Sequence, residues 1–383
     1  MKKKIWTLIS YILVSALSVA ITLGLVFRQM NGESKLDQLQ RLIENCYIEE
    51  ADPVLLTDAA AEAMIAATGD RWSYYIPANE YAAYLENSEN AYVGIGITIT
   101  VAHDGSGLQI MEVNSGSSAE EAGLQVDDVI TAIEGQSAAD MTTTEARNLV
   151  RGKEGTLVEL TLWRQGQTLT ISVIRRKVEV QVAAGVLLED NVGLVTIENF
   201  DDRCASESIA AIESLLEQGA DKLIFDVRNN PGGYAHELVK MLDYLLPEGE
   251  LFRTVDYRGK ESVDRSDADC LDIPMTVLVN GDSYSAAEFF AAALQEYGAA
   301  AVVGEKTTGK GHFQSTFQLN DGSAVALSIG KYFTPKGISL EGVGITPDVE
   351  VIVEPETADE IYYGQLPPEE DPQIQAALDV LNR

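Results

Sequence analysis

The chain has 383 residues, 46% of them hydrophobic, with 60 Asp and Glu against 27 Lys and Arg and a formal net charge of −33. That length exceeds one ordinary domain, and the charge excludes nucleic acid and anionic lipid surfaces as partners held by bulk attraction. The cysteines Cys46, Cys204 and Cys270 are too far apart for a metal-ligand pattern and allow at most one intramolecular disulfide. No ligand cluster implies a metal or a cofactor, and three isolated thiols are expected.

Lys2-Lys3-Lys4 precede 23 uncharged residues, Ile5 to Phe27, closed by Arg28. As a helix rising 1.5 Å per residue, this run reaches about 34 Å, enough to cross a hydrocarbon core of about 30 Å. A cleaved signal peptide shares the basic start, but its apolar core is shorter. Here Val19 to Phe27 continue apolar past Ala16 and Ser18. The reading is a retained single-pass anchor over 5–27, with the lysines cytoplasmic and residues 29–383 on the extracytoplasmic side of the cell membrane.

Residues 35–90 read as a helical region. Leu36, Leu39, Leu42, Ile43 and Cys46 share one helical face, and a second helix is predicted over Leu56 to Thr68, between the cap candidate Thr57 and Gly69. A short third helix is expected near Asn79 to Asn87. Such a region suits a cap or a homodimer contact.

Residues 92–178 are β-rich. A strand opens at Val93-Gly94-Ile95-Gly96-Ile97, others follow at Leu108 to Val113, Asp128 to Ile133, Val158 to Arg164 and Gln167 to Ile174, and a helix spans Thr143 to Val150. Ser117-Ser118-Ala119-Glu120-Glu121-Ala122-Gly123-Leu124, followed by Asp128-Val129-Ile130, resembles the recurring signature of a PDZ domain. The resemblance implies that a peptide adds as a strand, its terminal carboxylate held by backbone N–H groups of a Gly-containing loop. The candidate loop is Val93, Gly94, Ile95 and Gly96, whose glycines could equally serve only a tight turn.

From Val192 strands and helices alternate, which argues for an α/β core over 185–355 with its site at strand ends. Lys222 to Val227 is a buried strand, Arg228-Asn229-Asn230-Pro231-Gly232-Gly233 a turn at its carboxyl end, and Ala235 to Leu246 a helix. Met275 to Asn280 is a second apolar strand. It turns at Gly281-Asp282 into Ser283-Tyr284-Ser285-Ala286-Ala287-Glu288, which opens an alanine-rich helical run to Tyr297. A third apolar strand, Ala299 to Val303, leads to Gly304-Glu305-Lys306-Thr307-Thr308-Gly309-Lys310-Gly311-His312-Phe313-Gln314. A serine needs a base to become nucleophilic, and a lysine serves if desolvation or nearby positive charge keeps it neutral. His103, His236 and His312 show no triad spacing. Ser285-Ala286-Ala287-Glu288 is also a capping-box pattern, Lys310 alone could be a solvated lysine, and Ser283 rivals Ser285.

The segments 283–288 and 304–314 together resemble the catalytic core of the carboxyl-terminal processing peptidases, or tail-specific proteases, with their S-x-S-A-x-E and G-E-K-T-x-G-K-G-x-x-Q patterns. Tyr284 and Thr308 depart from the commoner Ala and Phe. Asp226 to Gly233 matches the family's D-x-R-x-N-P-G-G, and Gly69 to Tyr75 is a looser version of its L-D-P-x-S-x-Y. The 334–337, 342–349 and 371–375 segments also fit, so the likeness runs over about residues 36 to 383. It implies Ser285 as nucleophile, Lys310 as general base and Gln314 as the residue orienting it. Gly232 or Gly233 and Ala286 would supply the oxyanion N–H groups. Arg151, in Arg151-Gly152-Lys153-Glu154-Gly155-Thr156, would couple the PDZ domain to the site, unless it is simply a helix-end arginine.

The expected molecule is therefore multidomain α+β: a membrane helix, a helical region, a PDZ domain, a ClpP/crotonase-like protease core and a tail over 356–383 ending in a helix. It is read as a serine endopeptidase acting on protein C-termini, without cofactor or nucleic acid. An inactive peptide-binding scaffold and a crotonase-like enzyme acting on acyl-thioesters are the alternatives. The scaffold would not need Ser285, Lys310 and Gln314, and the thioester enzyme would need neither a PDZ domain nor a lysine base.

Overall fold

The structure is a computed structural model that describes residues 34–88, 90–102 and 104–383, with Ser15, Ser18, Val19 and Ile21 before them. The anchor expected over 5–27 lies outside the described residues apart from those four, and His103 lies outside them too. Among the described residues no helix is long and apolar enough to cross a membrane. The described residues fall into two compact units, one of those up to residue 77 together with 316–327, the other of those in 78–315 and 328–383.

In the first unit the helix Lys35–Cys46 starts at a reciprocal capping box between Ser34 and Asp37. The next helix runs Pro53–Ala66 and begins earlier than its sequence suggests. Asp52 accepts from Val54 N–H and Pro53 fills the first turn, a stronger start than Thr57, whose hydroxyl bonds back to the Pro53 carbonyl. The strand Tyr74–Ile76 pairs antiparallel with residues 324–326. Neither helix buries a residue, and the predicted apolar face stands open, with Leu36, Leu39 and Leu42 44%, 52% and 60% exposed.

In the second unit the β-rich part is a sheet ordered Ile97–Val101, Leu108–Val113, Val129–Ile133, Leu157–Arg164 and Gln167–Ile174, with Gln136–Ser137 beside the third strand. Its core is Leu108, Ile110, Ile130, Ile133, Leu160 and Leu162, all fully buried. The helix Thr143–Val150 lies where predicted, with Thr142 and Glu145 forming its capping box. The strand expected to run unbroken through Val93–Ile97 is broken. Ala91–Gly94 pairs with Arg176–Glu179 as a separate two-stranded stalk. Ile95 then turns into the core and Gly96 takes φ +79°, which glycine adopts without strain.

The α/β core is a six-stranded sheet ordered Ala183–Leu187, Val192–Ile197, Lys222–Asp226, Met275–Val279, Ala300–Gly304 and Val349–Glu350, parallel after its first pair. One face packs on the helices Cys204–Glu217, Ala235–Leu245 and Ala286–Tyr297 through Phe225, Phe290 and their neighbours. The other face, with Leu194, Ile224, Leu278 and Val303, is covered by Ile374 and Ala377 of the helix Pro372–Leu381. Burial on both faces is why these strands read as near-continuous apolar runs. No such signal marks the hairpin Gly249–Asp256 with Glu261–Ser266, where Arg253 pairs with both Glu250 and Glu261. Cys46 is exposed, Cys204 buried and Cys270 half-buried, each as a free thiol.

Candidate active site

The strands Lys222–Asp226 and Met275–Val279 are parallel neighbours, so the loops at their carboxyl ends meet. Asn280 binds them together: its Oδ1 accepts from Asn229 N–H at 2.9 Å and its Nδ2 donates to Asn229 Oδ1 at 2.8 Å. Tyr284 N–H donates to the Asn230 carbonyl. The two rival serines now differ. Ser283 is fully buried, and its hydroxyl donates to the Val227 carbonyl at 2.7 Å and accepts from Asn280 N–H at 3.0 Å. It is a structural fastener. Ser285 stands at the start of the helix Ala286–Tyr297 with φ +59° and ψ −125°, and its hydroxyl makes no cap hydrogen bond. A non-glycine residue in that region is strained by roughly 1–3 kcal/mol and persists only where its surroundings hold it.

Glu288 does much of that holding. The capping pattern survives in its carboxylate half, with Glu288 Oε2 accepting from Ser285 N–H at 3.0 Å. The same buried carboxylate accepts from Gly309 N–H at 2.7 Å, from Lys310 N–H at 2.8 Å and from the Thr307 hydroxyl. Burial pushes its carboxyl above the ordinary range, and those donors oppose the rise. Glu288 therefore staples the serine turn to the lysine loop. Sequence reasoning saw only a helix cap, because S-x-x-E says nothing of contacts 20 residues downstream.

Lys310 is half-buried, with Nζ 5.6 Å from the centroid of the Tyr284 ring. Gln314 Nε2 donates to Ser328 Oγ at 3.0 Å and to the His312 carbonyl at 3.1 Å, which fixes its amide on the strand that leaves the lysine. Gly232 and Gly233 are required by space. A Cβ on Gly232 (φ +88°) would sit 2.7 Å from Ser285 Cβ and 2.8 Å from Ala286 N, and one on Gly233 (φ +154°) 2.3 Å from the Phe200 carbonyl carbon. They differ as donors. Gly232 N–H is committed to Asn230 Oδ1 at 2.8 Å, whereas Gly233 N–H and Ala286 N–H have no acceptor among the described residues.

Away from the serine, a groove of about 270 Å³ runs between the strand Ile97–Val101 and the helix Thr143–Val150. Of the candidate loop, Gly94, Ile95 and Gly96 line it. Val93 does not; Tyr92 and Arg151 do, the guanidinium lying 4.2 Å from the Tyr92 ring centroid. Val93 instead turns its carbonyl to Gly152 N–H. Arg175, unremarked in the sequence, supports this end by donating to the Leu149, Val150 and Leu157 carbonyls.

Residues 191–351 match the model of peptidase family S41, and residues 109–164 match that of the PDZ domain. The carboxyl-terminal-processing protease of Synechocystis is 34% identical over 332 residues, covering 85% of this chain and 77% of that protein. The carboxy-terminal processing protease CtpA of Bacillus subtilis is 33% identical over 325 residues, covering 83% and 69%. The chain belongs to the S41 carboxyl-terminal processing proteases. It is a serine-type peptidase with a PDZ domain. A crystal structure of an S41 protease from Bacteroides fragilis shares the fold at 16% identity, with a TM-score of 0.52, 90% of this chain and 97% of that one covered.

In this S41 peptidase the turn before Gly232 is anchored by Arg228. Its guanidinium donates to both oxygens of Asp226 at 2.9 and 2.6 Å, to Asp371 Oδ2 at 2.8 Å and to Gln373 Oε1 at 2.9 Å. Burial alone would favour its neutral form, but Asp226 and Asp371 outweigh that and hold it firmly charged. The C-terminal helix is thereby tied to the loop that carries the glycines.

Proposed function

We propose that this S41 peptidase takes protein substrates by their free C-terminus in the PDZ groove and cuts near that end with Ser285 as nucleophile and Lys310 as general base. Neutral Lys310 Nζ removes the Ser285 proton as Oγ attacks the peptide carbonyl. The Gly233 and Ala286 N–H groups receive the oxyanion. Collapse breaks the C–N bond, and the protonated lysine gives its proton to the departing amine. Water, deprotonated by the same lysine, then hydrolyses the ester on Ser285. The observation that carries this reading is Glu288, which holds the serine turn and the lysine loop on one carboxylate.

The groove makes the C-terminus the point of capture, with Arg151 and the Gly94–Gly96 loop facing the carboxylate. An unfolded protein with a free apolar C-terminus is expected to be cleaved at least about ten-fold more efficiently than its C-terminal amide, since a charge-assisted hydrogen bond contributes ~1.5–3 kcal/mol. Arg151→Ala raises KM for the free form and narrows that gap. Equal cleavage of acid and amide by the unmodified enzyme would remove the groove from the reading.

The run Ile5–Phe27 supports a retained anchor. The full chain is expected to stay in the membrane pellet after alkaline carbonate extraction, and a chain lacking residues 5–27 to be released; release of both identifies a cleaved signal. The open face of Leu36, Leu39 and Leu42 supports a homodimer. Sedimentation is expected to give a dimer that Leu39→Glu converts to a monomer, and an unchanged mass for that variant would discard the contact.

A further inference from the structure

The two-stranded stalk that carries the groove domain is bonded, at its base, to the segment behind the glycine loop. Asn90, with φ 44°, precedes the stalk strand Ala91–Gly94, and its carbonyl accepts from Val180 N–H beyond the other strand. Its side chain forms a reciprocal amide pair with Asn199, Nδ2 to Oδ1 at 2.9 Å in both directions, and its Nδ2 also donates to Asp201 Oδ2 at 3.0 Å. Asn199 Oδ1 accepts in addition from Asp201 N–H at 3.1 Å.

Asn199 and Asp201 flank Phe200, and Phe200 is the residue that clamps the glycines. Its N–H donates to the Gly232 carbonyl at 2.8 Å and its carbonyl accepts from Tyr234 N–H at 2.7 Å, a bridge across Gly233. The contact is so close that no side chain fits on Gly233. Gly232 in turn abuts Ser285 and Ala286. Burial pushes the Asp201 carboxyl up to about 6, and the Asn90 amide works against that rise. A half-buried carboxylate kept facing an amide across 111 residues of sequence is a tertiary connection.

We infer that Asn90, Asn199 and Asp201 are positioning residues for the reaction: through Phe200 they fix the Gly233 N–H in register with the stalk that carries the peptide groove. The inference rests on the proposed reading of Ser285 and Gly233. Because the three residues lie outside the groove and touch no reacting atom, their loss lowers kcat and leaves capture of the C-terminus intact.

The test uses the full chain in detergent. It measures kcat and KM for an unfolded protein with a free apolar C-terminus, Kd for a fluorescent peptide with the same terminus, the rate of labelling by a fluorophosphonate, and the melting temperature. Asn90→Asp sets a carboxylate against Asp201 and is expected to lower kcat and labelling by about 10–100-fold, the scale of a small misplacement, with KM and peptide Kd within about two-fold. Adding Asp201→Asn removes the opposed carboxylates and restores a hydrogen bond between positions 90 and 201, while Asn199 Oδ1 stays without its donor from position 90, so the double variant Asn90→Asp/Asp201→Asn recovers part of kcat. Ser285→Ala serves as the reference for the underlying reading. If it still labels and cleaves, the reading of Ser285 fails and the inference with it. If it is inert while Asn90→Asp keeps the unmodified kcat, the relay alone is overturned. A fall in kcat matched by weaker peptide binding or a lower melting temperature, without recovery in the double variant, also overturns it.

Discussion

Ser285→Ala and Lys310→Ala are each expected to lower kcat for a C-terminal protein substrate by about 10⁴-fold or more, the scale on which losing a nucleophile or its base acts. Lys310→Arg is expected to be equally inert, because a guanidinium does not lose its proton near neutral pH. Ser283→Ala is the informative contrast. Its hydroxyl is buried between Val227 and Asn280, so its removal should lower stability by ~1–2 kcal/mol while cleavage persists. Rates from purified full-length protein, with melting curves for each variant, check this. Unimpaired cleavage by Ser285→Ala would sink the assignment of the nucleophile. Peptide binding without cleavage in the unmodified protein would favour the scaffold alternative instead.

Glu288→Ala is expected to damage both fold and site. It removes the acceptor of Ser285 N–H, Thr307 Oγ1, Gly309 N–H and Lys310 N–H at once. A buried donor left alone costs ~1–3 kcal/mol; the four are not additive, and a total of roughly 3–6 kcal/mol follows on the same scale. Glu288→Gln separates the two effects. It keeps the shape and one acceptor oxygen but turns an NH₂ group toward N–H donors. That variant should stay folded, bind a C-terminal peptide normally and lose about 10²-fold in kcat by misplacing serine against lysine. Chemical denaturation and the split between kcat and KM read the outcome. A Gln variant with unimpaired kcat would reduce Glu288 to a helix cap.

Much of this architecture was legible because the physics is local. Strands buried on both faces appear as unbroken apolar runs, as at Met275–Val279, and Thr142 with Glu145 announces the helix Thr143–Val150 in the order of the residues. The family patterns single out Ser285, Lys310 and the glycine turn as candidates, and the parallel strands Lys222–Asp226 and Met275–Val279 bring the serine and glycine turns together. What stayed hidden depends on partners distant in sequence. Glu288 looks like a cap until the lysine loop folds over it, and Asn90 looks like a linker residue until it meets Asn199. Ser283 and Ser285 are chemically alike on paper; only the Val227 carbonyl above one of them tells them apart. Tyr92, and not Val93, lines the groove, because the chain breaks at Ile95–Gly96 where an uninterrupted strand was expected.

Arg228 also joins residues that are far apart in the order in which the chain is made. The chain emerges from the ribosome with Ser285 and Lys310 well ahead of Asp371 and Gln373, the residues that complete the guanidinium's shell. Until those arrive, the turn bearing Gly232 and Gly233 has one of its two carboxylate anchors, Asp226, and the sheet face that Ile374 and Ala377 will cover stands open. The helix Pro372–Leu381 and the cap residue before it are thus part of the support of the glycine loop: a chain without them keeps Ser285 and Lys310 but loses one carboxylate partner of Arg228 and the cover of one sheet face.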